Sequence, residues 1–392
     1  MAVSKMQLKD VIKYEFLYMF RQNPKVALIL LGLPILYTIL FGVVYNANSV
    51  KNIPTLIYDQ DQTVVSSALI QAVSDSERYK IVSEVNTEED MEDALYNNEA
   101  IVALVIPSDF ARNIKLGKSS QVMITINSAN LMFSNSILGS ISEIVQTVST
   151  GAGQKSLEGL SQMPSQALSN AAPIRLAVRV LHNPTLSYSN FMLAGMSAFI
   201  LQLAIMMAIC FILVREYASI YHLKDTSAPI ILIGKLLPYW LCSMIDFVIC
   251  LAINTMFFDS PFRGDIGSLL LIGCAFTFAI INVGAFYSVI VTNEVYAVQL
   301  PMLYIMPSYL FSGYSWPLIS MNDFSRGFAA VMPITYAADA IRDILLDGYS
   351  PLLFRNVAIL FTFGGALFCL SCIIFSQYRK KILIRLSLEA AL

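Results

Sequence analysis

From Val26 to Tyr45 the chain runs for 20 residues without a charged side chain. That is the length a helix needs, at ~1.5 Å per residue, to cross roughly 30 Å of hydrocarbon. Five more runs have this character: Phe191–Val214, Ile230–Phe258, Ile266–Thr292, Val295–Gly313 and Asn356–Tyr378. Only Ile230–Phe258 holds charges, Lys235 and Asp246. Lipid offers backbone groups no hydrogen-bond partners, so apolar runs of this length cross as helices. The pattern predicts a polytopic α-helical membrane protein with six transmembrane helices, Pro34, Pro238, Pro301 and Pro307 lying within them. The chain has 13% charged and 56% hydrophobic residues, against about 25% charged in soluble domains. A net charge of −2 gives no electrostatic reason to bind nucleic acid.

Basic residues orient the chain. Lys5, Lys9, Lys13, Arg21 and Lys25 precede the first run; Arg215, Lys224 and Lys235 follow the second; Arg379, Lys380, Lys381 and Arg385 close the chain. These twelve share one face, which is read as cytoplasmic with both termini. A signal peptide would have a shorter apolar region, of about 7–15 residues, so an uncleaved anchor is expected.

Residues 46–190 are polar and fall outside, between helices 1 and 2. Ile53–Tyr58, Tyr79–Val85, Ile101–Ile106 and Val122–Ile126 have strand character; Val64–Val73, a segment capped by Thr87, and Leu131–Val148 have helical character. Alternation of this kind predicts an extracytoplasmic α/β domain. Residues 149–173 are rich in Gly, Ser, Gln and Ala and are expected to be a mobile linker. Ile174, Leu176, Val178 and Val180 alternate as in a strand.

Catalytic and metal-binding patterns are missing from the sequence. All six cysteines, Cys210, Cys242, Cys250, Cys274, Cys369 and Cys372, lie in apolar runs, and His182 and His222 are isolated, so zinc-ligand spacing does not occur. Cys369-x-x-Cys372 has no neighbouring charge to lower a thiol pKa and reads as packing. Gly151-Ala-Gly-Gln-Lys155-Ser156 fails as a phosphate loop, because Gln154 interrupts Gly-Lys-Ser and Val148 replaces the leading Gly. Asp59 and Asp61 read as a turn.

Several polar features remain. Leu8–Phe20 places Val11, Ile12, Phe16 and Met19 on one side with Lys9, Lys13 and Arg21 flanking, as in an interfacial helix, and Asn23-Pro24 ends it. Arg215–Pro229 is a polar loop able to dock a partner. Asp246, midway along the third run, costs at least ~2.5–3.5 kcal/mol on insertion scales and is expected to pair with Asn282 or a backbone donor. Lys235 is read as snorkelling, without chemistry. Ser315–Pro351, holding Asp323, Arg326, Asp339, Arg342, Asp343 and Asp347, is too polar to cross.

The order of these features resembles the type-2 permease family of ATP-binding-cassette exporters over essentially the whole chain. Lys13-Tyr-Glu-Phe-Leu-Tyr-Met-Phe-Arg21-Gln-Asn-Pro24 resembles its interfacial helix. Leu56-Ile-Tyr-Asp59-Gln-Asp61 and Ala103-Leu-Val-Ile-Pro107-Ser-Asp-Phe110 resemble its external domain, and Asn183-Pro184 with Phe191 and Gly195 its second-span entry. Arg215-Glu216 and Gly234-Lys235-Leu-Leu-Pro238 bracket its coupling loop, with Ser219-Ile220 and Ala228-Pro229 where the family often has Gly-Thr and Thr-Pro. Leu310-Phe-Ser-Gly313, Trp316-Pro317, Met332-Pro333-Ile-Thr-Tyr336, Ala340-Ile-Arg342 and Asp347-Gly348 follow its C-terminal signature.

The resemblance implies a permease subunit that couples to a separate cytoplasmic ATPase and to a second permease, identical or paralogous; that the chain has no nucleotide site or cofactor of its own is expected from the sequence itself. It implies a bacterial inner or plasma membrane and an amphipathic, lipid-like or antibiotic-like cargo. The expected organisation is an interfacial helix over 1–25, helix 1 over 26–45, the external domain over 46–190, helices 2–6 over 191–378 with a coupling loop at 215–229 and an outer re-entrant segment at 315–353, and a basic tail over 379–392. Arg215, Glu216, Tyr217, Tyr221, Lys224, Phe16, Phe20 and Arg21 are the expected ATPase-coupling residues. Asp246, Asn282, Trp316, Pro317, Asp339 and Arg342 are the pathway or gate candidates. Two other readings compete: a receptor that merely anchors its external domain, and an ion-coupled secondary transporter.

Overall fold

The computed structural model describes residues 7–45, 50–128, 131–172, 180–183, 187–215, 226–291 and 293–389. They fall into two units, one of residues 1–48 with 180–392 and one of residues 49–179.

The chain begins with α1 (Leu8–Leu17), a π-turn at Tyr18–Gln22 and α2 (Pro24–Ala27). Asn23 leaves helical geometry and Pro24 restarts the helix at its first position, where a missing N–H costs nothing. A second π-turn, Leu28–Gly32, leads into α3 (Leu33–Tyr45). Pro34 sits just beyond it. Proline has no N–H to give the preceding turn, and a wider turn accommodates that loss.

The second unit contains β1 (Ile53–Asp59), α4 (Val64–Ser74), β2 (Tyr79–Glu84), α5 (Glu88–Tyr96), β3 (Val102–Ile106), α6 (Phe110–Lys115), β4 (Met123–Ile126), α7 (Leu131–Glu158) and α8 (Pro164–Ala171). The sheet order is β2-β1-β3-β4; β1 pairs in parallel with β2 and β3, and β4 runs antiparallel to β3. All of β3 is buried, as a central strand covered on both faces must be. Val102, Leu104 and Ile106 face Leu69, Val73 and Ile137, whereas Ala103 and Val105 face Met91 and Leu95. The acidic turn is structural: Asp59 Oδ1 accepts from the Asp61 and Gln62 amides at 3.0 and 3.2 Å, and Asp59 Oδ2 accepts from Ser66 Oγ at 2.6 Å.

Where a mobile linker is expected over 149–173, the described residues are mostly helical. α7 continues to Glu158 and α8 packs back on it, burying Ala167. Small residues make this close approach possible, since a Cβ on Gly153 would lie 3.2 Å from that of Ala171. Ser156 returns its hydroxyl to the Ala152 carbonyl at 2.9 Å, so the near phosphate loop is plain helix. The strand expected from Ile174 lies outside the described residues.

The first unit continues with α9 (Tyr188–Ile209), α10 (Ala228–Phe257), α11 (Ile266–Ile290), α12 (Glu294–Phe311), α13 (Asp323–Ala330), α14 (Pro333–Asp347) and α15 (Leu353–Glu389). Among the described residues, five segments are long and apolar enough to cross a membrane: Pro24–Tyr45, Tyr188–Ile209, Ala228–Phe257, Ile266–Ile290 and Leu353–Leu383. The sixth expected span falls short. Its apolar part, Val295–Phe311, reaches about 26 Å against the roughly 30 Å of the hydrocarbon core. Pro301 and Pro307 interrupt it.

α9 and α11 are the middle of this unit, each 72% buried over its apolar window, while α15 is 17% buried. Buried polar side chains join the helices. Asn254 Nδ2 donates to Ser197 Oγ at 2.8 Å, and Gln202 Nε2 donates to Ser308 Oγ at 2.8 Å. Beyond α9, which stops short of the expected Val214, the chain turns, and the Leu213 amide donates to Ser288 Oγ of α11 at 2.9 Å.

Candidate functional site

Along α1 and its π-turn the buried residues are Val11, Glu15 and Met19. They recur every four positions, so they share one helical face, and its middle member is a carboxylate with no solvent exposure. An isolated buried carboxylate is heavily penalised; this one is surrounded by donors. Arg215, just past α9, pairs with Glu15 Oε1. Lys235 Nζ of α10 lies 2.9 Å from Glu15 Oε2, and Tyr239 OH donates to Oε1 at 3.1 Å. The Arg215 guanidinium also lies 3.5 Å from the centre of the Tyr18 ring. Burial opposes the charge on Arg215, but Glu15 and Tyr239 outweigh it and hold its pKa above the ordinary arginine value.

The cluster forms because Lys235 and Tyr239 are four apart on one face of α10. Gly234 beside them has no Cβ, and one would sit 2.7 Å from Val11 Cγ1; α1 therefore lies directly against α10. Lys235 is 1% exposed. The snorkelling expected of it is replaced by an inward turn, because the carboxylate is nearer than solvent.

Other expected coupling residues are less involved. Phe16, half-buried against the helical core, stacks on Phe20 at 6.0 Å, Phe20 and Arg21 are exposed, and none joins the Glu15 cluster. Glu216, Tyr217, Tyr221 and Lys224 lie outside the described residues. Where the chain resumes, the Thr226 carbonyl accepts from Arg379 of α15, which makes the start of the basic tail part of the same end of the unit.

A second cluster sits at the opposite end of α9, about 33 Å away along its 22 residues. Arg342 of α14 pairs with Asp339 at 3.2 Å and lies over the rings of Tyr314 and Phe191 at 5.2 and 6.0 Å. Those rings stack at 5.0 Å, and Tyr314 OH donates to the Phe191 carbonyl. Burial raises the pKa values of Asp339 and Asp343. Nearby, His182 Nδ1 lies 2.9 Å from Asp347, and Arg263 donates to the carbonyls of His182 and Leu346 at 2.9 and 3.0 Å. Trp316 and Pro317 are exposed and outside this cluster.

Asp246 does not pair with Asn282. Asn282 donates to the Phe278 carbonyl, one turn back on its own helix, at 2.8 Å. Asp246 is fully buried, and neither of its carboxylate oxygens has a hydrogen-bond partner among the described residues. Among those residues there is also no group of three or more His, Cys, Asp or Glu able to hold a metal ion.

Glu15 was not among the candidates from the sequence. Its signal was present as an acid four residues from Val11 and from Met19 on an otherwise apolar face, but its partners lie 200 and 220 positions away.

Residues 25–373 match the family described as ABC-2 family transporter protein. The chain is 22% identical over 348 residues to the probable multidrug ABC transporter permease YbhR of Escherichia coli (strain K12), covering 88% of this chain and 91% of that protein. It is 20% identical over 359 residues to the probable multidrug ABC transporter permease YbhS of the same strain, covering 88% and 90%. It is 23% identical over 344 residues to that strain's inner membrane transport permease YhhJ, covering 84% and 86%.

Proposed function

This chain belongs to the ABC-2 family of transporter proteins, and on that footing we propose that it is the membrane-spanning subunit of an exporter driven by a separate cytoplasmic ATPase. The Glu15 cluster carries this reading. It fastens α1, which leads into the π-turn where Phe20 and Arg21 are exposed, to the end of α9 and the start of α10. A force applied to α1 or to the loop after Arg215 would reach two membrane helices through buried ionic contacts instead of a soft surface. The sequence contains no phosphate loop, so the fuel is spent on the partner.

In this reading the chain crosses a bacterial inner or plasma membrane six times, the short α12 being the fifth crossing, with both termini inside. Residues 49–179 lie outside. The Arg342 cluster forms an outer gate, and Asp246 lines the pathway. A second permease completes the subunit pair, and the cargo is amphipathic, as the multidrug names of the relatives YbhR and YbhS favour.

The test joins two measurements on the full chain in membranes. Affinity purification should recover an ATP-binding-cassette ATPase, and a cysteine placed by Glu92→Cys in a cysteine-free background should react with an impermeant maleimide from outside. Transport by the purified chain with no ATPase, or labelling of position 92 only after the membrane is opened, would overturn the reading.

A further inference from the structure

We infer that Asp246 is a proton-binding site that holds α3 shut against α10: it keeps its proton while the two helices are packed and gives it up to water when the seam between them opens. The buried residues of α10 include Lys235, Tyr239, Ser243, Asp246, Cys250 and Asn254. These recur every three or four positions and so line one helical face. From Lys235 to Asn254 the stripe runs roughly 29 Å, about the thickness of the hydrocarbon core. Towards its ends it makes polar contacts. Lys235 and Tyr239 hold Glu15, Ser243 returns its hydroxyl to the Tyr239 carbonyl at 2.8 Å, and Asn254 donates to Ser197 of α9 at 2.8 Å. Asp246, in the middle, makes none among the described residues.

This face packs against α3, whose buried residues Pro34, Thr38 and Gly42 recur every four positions. Cys250, one turn beyond Asp246, meets the Thr38 hydroxyl, and a Cβ on Gly42 would collide with the Phe258 ring at the end of α10. The seam is tight. Asp246 Oδ1 and Oδ2, Thr38 Oγ1 and Asn254 Oδ1 are each out of reach of water and without a hydrogen-bond partner among the described residues.

Nothing stands by to balance an ionised Asp246. The elements packed against α10 are α1, the π-turn before α3, α3, α9, α11 and α15. Among the described residues none of them brings a titratable or charged side chain to bear on Asp246. On α10 itself the thiols of Cys242 and Cys250, one turn to either side, sense it. A carboxylate without donor, cation or water is prohibitive, whereas a neutral acid loses only the hydrogen bonds of a polar group. The packed seam therefore admits the protonated form. Opening hydrates the orphaned atoms, and a hydrated aspartic acid ionises above roughly pH 4. The proton thus binds one state in preference to the other, which is what lets it shift their ratio. While the packed form predominates, the opened fraction rises about tenfold per pH unit.

The inference deepens the reading of Asp246 as a pathway residue and rests on α3 and α10 crossing the bilayer. Its test uses neither ATPase nor cargo, so either proposal can fail while the other stands.

In lipid nanodiscs the full chain keeps Cys250, with the other five cysteines replaced by alanine, and is treated with a water-soluble methanethiosulfonate. Only a thiolate reacts, so the intrinsic rate rises about tenfold from about pH 6 to about pH 7. Seam opening multiplies that rise. The Cys250 chain is expected to react about a hundredfold faster over the interval, and the same chain with Asp246→Asn, which mimics the neutral acid at every pH, about tenfold faster. A Cys250 chain that gains only about tenfold or never reacts, or an Asp246→Asn chain that gains as steeply as its parent, overturns the proposal. The slope of the Cys250 chain decides by itself should Asp246→Asn fail to fold.

Discussion

Lys235 Nζ and Glu15 Oε2 stand 2.9 Å apart although 220 positions separate them in the chain. Glu15 has no exposed surface and the Lys235 side chain 2%. Such a pair is costly to desolvate and costlier still to break, because the surviving charge is stranded. Arg215 adds a second cation on the same carboxylate.

Two cations on one carboxylate make the two ends of the pair unequal. Glu15→Gln takes the shared carboxylate from both cations and is expected to destabilise the chain by about 3–5 kcal/mol. Lys235→Met leaves Glu15 paired with Arg215 and is expected to cost less. Added to Glu15→Gln, Lys235→Met should restore part of the loss, by at least about 1 kcal/mol as a coupling energy. Thermal unfolding of the four chains in detergent measures the cycle; strict additivity would mean that the two residues do not share one buried site.

The fit of α1 against α10 depends on a missing side chain. Gly234→Val places a Cβ where Val11 Cγ1 already lies, at 2.7 Å, and overpacking of this kind typically costs about 1–3 kcal/mol. Val11→Ala in the same chain removes Cγ1 but keeps a Cβ at 2.8 Å, so it should recover only part of that loss, although Val11→Ala alone is mildly destabilising. Melting temperatures and ATPase co-purification follow the series. A Gly234→Val chain indistinguishable from its parent in both would show that α1 does not need this contact.

At the other cluster burial raises the pKa of Asp343, with Arg342 and Ser350 opposing it. An acid whose folded pKa is raised gives its full share of stability below the unfolded value, roughly 4, and loses it as pH climbs through the folded value. Asp343→Asn removes that dependence. The variant should therefore gain on the parent as pH rises from about 4 towards neutrality, a trend read from melting temperatures across that range. A parent that gains on Asp343→Asn over the same interval would reverse the sign and refute the assignment.

Much of the architecture was legible because two periodicities are hard to mistake. Runs of twenty apolar residues gave the membrane helices, and Thr87, expected as a cap, accepts from the Asp90 amide at 3.1 Å. The Arg342–Asp339 pair was visible as a three-residue spacing. The linker was misread because glycine, serine and alanine are shared by disordered segments and by helices packed too closely for larger side chains; what separates them is α8 lying on α7. α12 was read as a span on apolar character, and its apolar part, Val295–Phe311, is shorter than the five longer helices.

The sequence by itself determined that this chain lives in lipid, which long apolar segments turn helical and where a folded polar unit interrupts them, because hydropathy and periodicity are local properties. Only the tertiary structure decided that Glu15 faces inward and that Lys235 follows it. It alone decided that Asp246 and Asn282 remain apart. A charge buried in a protein survives by virtue of what surrounds it, and Glu15's surroundings come from helices hundreds of residues downstream, brought together by packing that no local pattern encodes.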